Sequence, residues 1–131
     1  TDQGIKTLSA TNYVLASRER AKSSLDELVL RTIKGKVSEC CSNNIWWFLG
    51  NQLFTPKLET GCVNGVFRRY LMASIATDFA IKETMIGKEE LKRVDEIFIT
   101  NAVSGIQAVG FLEGKKYSNK YTVDLISYLN R

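Results

Sequence analysis

Short apolar runs in this chain are separated by turn residues, and most of them carry a strand-like pattern. Residues 27–33, rich in Leu and Val, predict a strand, and Lys34-Gly35 predicts the turn that ends it. Residues 36–48 predict a second strand, bent or bulged around residues 41–44. Gly50-Asn51 turns the chain again, and residues 52–55 pair back. Trp46 and Trp47 point to opposite faces of their strand, which puts at least one near a surface or interface. Ahead of this meander, a helix is predicted from residue 9 or 11 to about residue 23. Tyr13, Val14 and Ala21 are its apolar positions, and Arg18, Glu19, Arg20 and Lys22 its solvated ones.

The second helical pattern follows a loop. Phe67, Leu71 and Ile75 fall on one stripe, with Val66, Tyr70 and Ala73 beside it. Beyond it come a strand over residues 81–85, a short helix over 88–94 and a strand over 95–102. A further strand over residues 106–112, a hairpin turn at Glu113-Gly114 and a helix over 120–129 close the chain. The elements describe a single strand-rich α/β (α+β) domain over residues 1–131, with three or four helices.

The loop before the second helix organises the rest. It holds the only proline, Pro56, and two glycines four apart, Gly61 and Gly65. A helix that starts from such a loop leaves its first N–H groups, here those of Val66 and Phe67, without intrahelical acceptors. With the positive end of the helix dipole they form an anion site. The same stretch also reads as an ordinary cap, with Asn64 as N-cap occupying one of those donors.

Composition narrows the chemistry. The chain has 131 residues, 44% of them hydrophobic and 24% charged, in the range of globular proteins. No run is long enough to span a membrane, and no signal peptide opens the sequence, so a cytoplasmic setting without a membrane is expected. The net charge of +4 is scattered among acidic residues, without the basic, aromatic-laced stripe of a nucleic-acid binder. Three cysteines (Cys40, Cys41, Cys62) and no histidine argue against a zinc site, because the adjacent pair lacks the usual spacer. The missing histidine also excludes a Ser-His or Cys-His pair within this chain. Proton transfer must fall to lysine, carboxylate or tyrosine.

Two candidates stand out for that role. Lys6 is one lysine among many and reads equally as a surface residue. Glu39 sits in the apolar run Val37-Ser38-Glu39-Cys40-Cys41, where a carboxylate is costly unless paired, and a buried arginine partner is the plain structural reading. Asn43-Asn44 and Thr100-Asn101 add amides and a hydroxyl at strand ends. A lysine, a strand carboxylate and an anion-binding helix start are together the set that pyridoxal phosphate uses.

The order of these residues resembles a family. Gly4-Ile5-Lys6-Thr7-Leu8, then Val37-Ser38-Glu39-Cys40-Cys41-Ser42-Asn43-Asn44-Ile45-Trp46-Trp47, begin the match. It continues through Thr55-Pro56, Gly61-Cys62-Val63-Asn64-Gly65-Val66-Phe67-Arg68 and Asp95-Glu96-Ile97-Phe98-Ile99-Thr100-Asn101-Ala102. In this order and spacing they resemble the second half of the fold-type IV pyridoxal-phosphate enzymes. That group holds the branched-chain and D-amino-acid aminotransferases and 4-amino-4-deoxychorismate lyase.

The resemblance implies a strand-rich C-terminal domain with an open or pseudo-barrel sheet and pyridoxal 5'-phosphate as cofactor. Lys6 matches the lysine that forms a Schiff base with the cofactor and moves protons at the substrate carbon. Glu39 matches the acid that keeps the pyridine nitrogen protonated. Gly65, Val66 and Phe67 match the phosphate-binding helix start, and Asn44 a residue lining the pocket. Asn101 and Ala102 match a phosphate-side loop where many relatives carry a hydroxyl; any contact here would come from backbone or from Asn101. Cys40-Cys41 and Val63-Asn64-Gly65 look most like the lyase, which releases pyruvate and 4-aminobenzoate in folate biosynthesis. Serine at position 9, where lyase relatives usually carry asparagine, counts against the lyase. The resemblance further implies an N-terminal domain absent from this chain, a small-molecule substrate and a homodimer.

Overall fold

A computed structural model describes residues 9–16, 27–32, 34–40, 43–75 and 80–130. Among the described residues there are ten strands and three α-helices, and the strands divide into two five-stranded sheets. The first sheet has the order β10-β9-β1-β2-β3, built from β1 (Ser9–Ala16), β2 (Glu27–Arg31), β3 (Val37–Cys40), β9 (Phe111–Leu112) and β10 (Lys115–Lys116). The second has the order β6-β5-β4-β7-β8, built from β4 (Asn44–Leu49), β5 (Gln52–Pro56), β6 (Ile81–Thr84), β7 (Glu96–Asn101) and β8 (Gly105–Ala108). The helices are α1 (Val66–Ile75), α2 (Lys88–Lys92) and α3 (Lys120–Leu129). The strand-rich α/β character and the three helices agree with the sequence.

Several expected elements change. The first predicted helix starts instead as β1, antiparallel to β2; residues 17–23 of that prediction lie outside the described residues. Between the Ala10–Leu30 and Val14–Leu28 pairs, β1 advances four residues while β2 advances two. Such a bulge interrupts the two-residue alternation, and adjacent Tyr13 and Val14 then imitate a helical stripe. The predicted strand over residues 36–48 is two strands. Cys40 and Asn43 exchange backbone hydrogen bonds across a tight turn, which ends β3 in one sheet and starts β4 in the other. The strand over residues 106–112 likewise splits into β8 and β9, one in each sheet.

The sheets are held by two cores. Val29, Val37, Ile45, Trp47, Leu91, Ile97, Ile99 and Leu112 pack into one. Trp46, Phe48, Leu53 and Phe98, from the other face of β4, β5 and β7, pack with Leu71 and Ile75 of α1 and Leu125 of α3. Trp46 and Trp47 do point to opposite faces, but both are buried, against the expectation that one would lie near a surface. Trp46 stacks on Phe98 at 5.7 Å between ring centroids and donates its Nε1–H to Thr100 Oγ1 at 2.9 Å. Trp47 stacks on Phe54 at 6.3 Å.

The βαβ unit β5–α1–β6 sets up the site. β5 and β6 are parallel, and α1 makes the crossover between them. A short 3-10 helix (Leu58–Thr60) follows β5 and ends at Gly61, whose φ of 86° lies in the left-handed region that glycine adopts without a Cβ clash.

At the other end of β7, Glu96 anchors α3. Its carboxylate, 1% exposed, accepts the N–H groups of Tyr121 and Thr122 and the hydroxyls of Ser118 and Thr122, all at 2.8–2.9 Å. The N-cap residue Asn119 makes no side-chain cap, so a strand carboxylate does this work and also faces the positive helix end. Glu96→Ala is expected to lower the unfolding free energy by about 2–4 kcal/mol in denaturant titrations, since charge-assisted bonds contribute about 1.5–3 kcal/mol each. A loss below about 1 kcal/mol would show that α3 docks through Leu125 alone.

Candidate functional site

The strand ends of the second sheet, the end of β3 and the start of α1 enclose a cavity of about 310 Å³. This is near the lower end for small-molecule pockets, which run from roughly 300 to 1,000 Å³. Glu39, Asn44, Gly65, Val66, Phe67, Asn101 and Ala102 all line it. Lys6 lies outside the described residues, as does the side chain of Tyr13. Cys40, Asn43, Val63 and Thr100 complete the wall. Cys40 stood out in the sequence as part of the Cys40-Cys41 pair that resembles the lyase, and its place beside Glu39 on β3 brings it to the cavity wall.

Glu39 reaches the cavity from β3, paired opposite Leu30. It is buried, and its Oε1 accepts the Val63 N–H at 2.8 Å. A backbone donor from the glycine-bearing loop therefore helps satisfy the carboxylate, rather than only the arginine that a buried acid suggests.

The helix start is built without Asn64 as its cap. Gly65 gives its carbonyl to the Arg69 N–H at 3.0 Å, which puts Gly65 at the position preceding the first helical turn. Asn64 Oδ1 instead accepts from Arg68 Nη1 at 3.1 Å. The N–H groups of Val66 and Phe67 fall in the first turn, where no intrahelical acceptor exists, beside the cavity. Val66 is 64% exposed, so this end of the helix is not sealed by packing.

Arg68 fixes the helix to the sheet. It takes a buried position beside Leu71 and Ile75, while Phe67 of the expected stripe is only half-buried and Val66 and Tyr70 are exposed. Its Nη2 donates to the Pro56 carbonyl at 3.1 Å and to Glu83 Oε1 at 3.0 Å. One guanidinium thus joins β5, β6 and the loop at Asn64. Its role was hidden in the sequence because an arginine in an exposed-looking first turn reads as solvated.

The opposite wall is shaped by Asn101. Its Oδ1 accepts the N–H groups of Val103 and Ser104 at 2.8 and 2.7 Å, and its Nδ2 donates to Asn43 Oδ1 at 2.5 Å. The amide is thus engaged with its own loop and with Asn43, and Asn101 and Ala102 stand side by side on the cavity wall. The arrangement gathers a buried carboxylate, an open helix start and a braced loop around one small-molecule cavity. Those are the features of an α/β site for an anionic ligand with a protonated ring nitrogen, and the donor set fits pyridoxal phosphate.

The comparisons with known proteins agree on one family. The amino-transferase class IV family model matches residues 1–110, and the chain belongs to that family. It is 32% identical over 125 residues to the mitochondrial branched-chain-amino-acid aminotransferase 1 of Arabidopsis thaliana, covering 92% of this chain and 32% of that protein. It is 30% identical over 119 residues to the aminodeoxychorismate lyase of Bacillus subtilis, covering 88% of this chain and 40% of that protein. The fold is shared with an aminotransferase from Brucella abortus bound to pyridoxal phosphate. The TM-score is 0.71 at 21% identity, over 80% of this chain and 39% of that one. The chain thus spans about a third to two fifths of the length of these relatives.

Arg68→Met is expected to cost about 2–3 kcal/mol of stability, because Arg68 is 3% exposed and its Nη2 bonds the buried Pro56 carbonyl. Glu83→Gln should cost under about 1 kcal/mol, since Glu83 is 43% exposed and its ion pair is screened. Chemical denaturation of both variants checks the order. If Glu83→Gln costs more, the ion pair and not the carbonyl contact holds α1.

Proposed function

We propose that this chain is the cofactor-binding half of a pyridoxal-phosphate lyase that converts 4-amino-4-deoxychorismate to 4-aminobenzoate and pyruvate. The observation that carries the reading is the shared cavity of Glu39 and the α1 start. When bound, the cofactor supplies an electron sink that lets a proton leave the substrate carbon bearing the amine. Glu39 would hold the ring nitrogen protonated, and the N–H groups of Val66 and Phe67, with the backbone at Ala102, would bind the phosphate.

Lys6 is assigned as the base. Its Nζ would take the proton from the amine-bearing carbon and return one to the departing enolpyruvyl group, which leaves as pyruvate. The C–O bond to that group breaks with its electron pair leaving on the oxygen, and the pair of the broken C–H bond becomes the double bond that makes the ring aromatic. No second substrate is consumed. Cys40-Cys41 and Val63-Asn64-Gly65 support elimination through their likeness to the lyase.

The 32% identity to a branched-chain aminotransferase favours a second reading. There the proton would be returned on the cofactor side, and a keto acid would accept the amine. Glu39 and Lys6 serve both reactions, so they do not separate them. An N-terminal domain and a second subunit are part of either reading, and this chain alone is expected to bind the cofactor weakly.

Two experiments test the assignment, both on the natural polypeptide that contains this chain. Borohydride reduction of the cofactor-loaded protein is expected to fix the cofactor on Lys6, and peptide mass spectrometry identifies the lysine. Labelling elsewhere removes Lys6 from the mechanism. Incubation with 4-amino-4-deoxychorismate and no keto acid should yield pyruvate and 4-aminobenzoate over many turnovers. Turnover of branched-chain amino acids only with added 2-oxoglutarate, and no aminobenzoate, would establish the transaminase instead.

A further inference from the structure

The peptide group of Val63 is held from both sides. Its N–H donates to Glu39 Oε1 at 2.8 Å, and its carbonyl accepts from Asn44 Nδ2 at 2.8 Å. Glu39 lies near the end of β3 and Asn44 opens β4, so the two side chains flank the tight Cys40–Asn43 turn. Two residues beyond Val63, Gly65 leads into α1. A Cβ on Gly65 would stand 2.9 Å from Asn44 Oδ1, too close for an undisturbed amide. One end of the Asn44 amide thus bonds the loop, and the other lies against the residue that starts the helix.

The segment is also tied on either side of Val63, by the buried Cys62 and by the Arg68 Nη1 bond to Asn64 Oδ1. The Val63 side chain is 60% exposed, so apolar packing does not set its position. Asn44 itself is buried and begins a strand whose register is set by its pairing with Thr100. The amide therefore ties the Val63 peptide group, whose side chain packs weakly, to the fixed register of β4.

We infer that Asn44 is a positioning residue, setting the α1 start relative to Glu39 through Val63 and Gly65. This rests on reading the cavity as a pyridoxal-phosphate site. The helix start and the carboxylate belong to different elements, and a ligand that touches both needs their separation held. Hydrogen bonds to phosphate fall off steeply with angle and distance, whereas a carboxylate facing a ring nitrogen remains on its own strand. Loss of Asn44 therefore weakens the phosphate end selectively.

The test uses the apo form of the natural polypeptide that contains this chain. Pyridoxal phosphate and pyridoxal are titrated against it by absorbance, and the ratio of the two affinities is the readout. The parent protein is expected to prefer the phosphorylated form. Asn44→Ala should lower that preference about tenfold, a change of about 1.4 kcal/mol, while leaving pyridoxal affinity within about twofold. Gly65→Ala keeps the amide but pushes it aside, and should shift the ratio in the same direction; it also serves if Asn44→Ala does not fold. An unchanged ratio in a folded variant overturns the inference, as does an equal loss for both ligands, which would mark a general structural role. A parent protein with no preference for the phosphorylated form would overturn the pyridoxal-phosphate reading itself.

Discussion

Burial of the β4–β7 pair on both faces is the constraint from which the rest follows. β4 and β7 run antiparallel from Asn44–Thr100 to Phe48–Glu96, with one core on each side. Polar groups along such a pair must be satisfied internally or lie at its ends. One end carries Asn44, Thr100 and Asn101, and the cavity forms there. The other carries Glu96, which is spent on the first turn of α3. Two carboxylates of the domain are thus buried for different reasons. Glu96 is enclosed by three donors of the first turn of α3 and the Ser118 hydroxyl just before it, whereas Glu39 faces a cavity and accepts a loop N–H on its Oε1.

The same constraint explains what the sequence disclosed and what it concealed. α3 was legible to the residue, because its apolar period runs unbroken after the Glu113-Gly114 turn. The loop feeding α1 was legible from its glycines and the apolar stripe behind them. Of the expected ligand-facing residues, those on described elements meet at one cavity because each stands at a strand or helix end. β1 was misread because its bulge hides the two-residue period, and the bulge arises only in its pairing with β2. The tryptophans were misjudged for a related reason. Alternation gives opposite faces correctly, but cannot reveal that a second sheet covers one face and helices the other.

Capping and bracing were also out of reach. Asn64 has the right residue type for an N-cap, yet Arg68 competes for its oxygen and Gly65 takes the cap position. Asn101 lines the cavity as expected, and its acceptor is also bonded by the N–H groups of Val103 and Ser104. At Asn64 local propensity was right about the chemistry and wrong about the partner, since the partner is chosen by tertiary geometry.

A division of labour between core and rim follows. Glu39 and the α1 start, the groups proposed to hold the cofactor, meet at the cavity at one end of the buried strand pair. The residues at the rim are held differently: Val63, Val66 and Val103 expose 60%, 64% and 94% of their surface, and their loops are fixed by amide hydrogen bonds. Substitution there removes little buried area, so it costs the fold far less than a change at Trp46 or Phe98 would. A family can therefore alter the chemistry at the mouth of the cavity while its strands stay unchanged, which is the pattern expected when lyases and aminotransferases share one scaffold. The limit on that freedom is set by the braces. An exposed side chain can change, but its peptide group must still meet Glu39, Asn44 or Asn101, or the ligand-facing backbone moves with it.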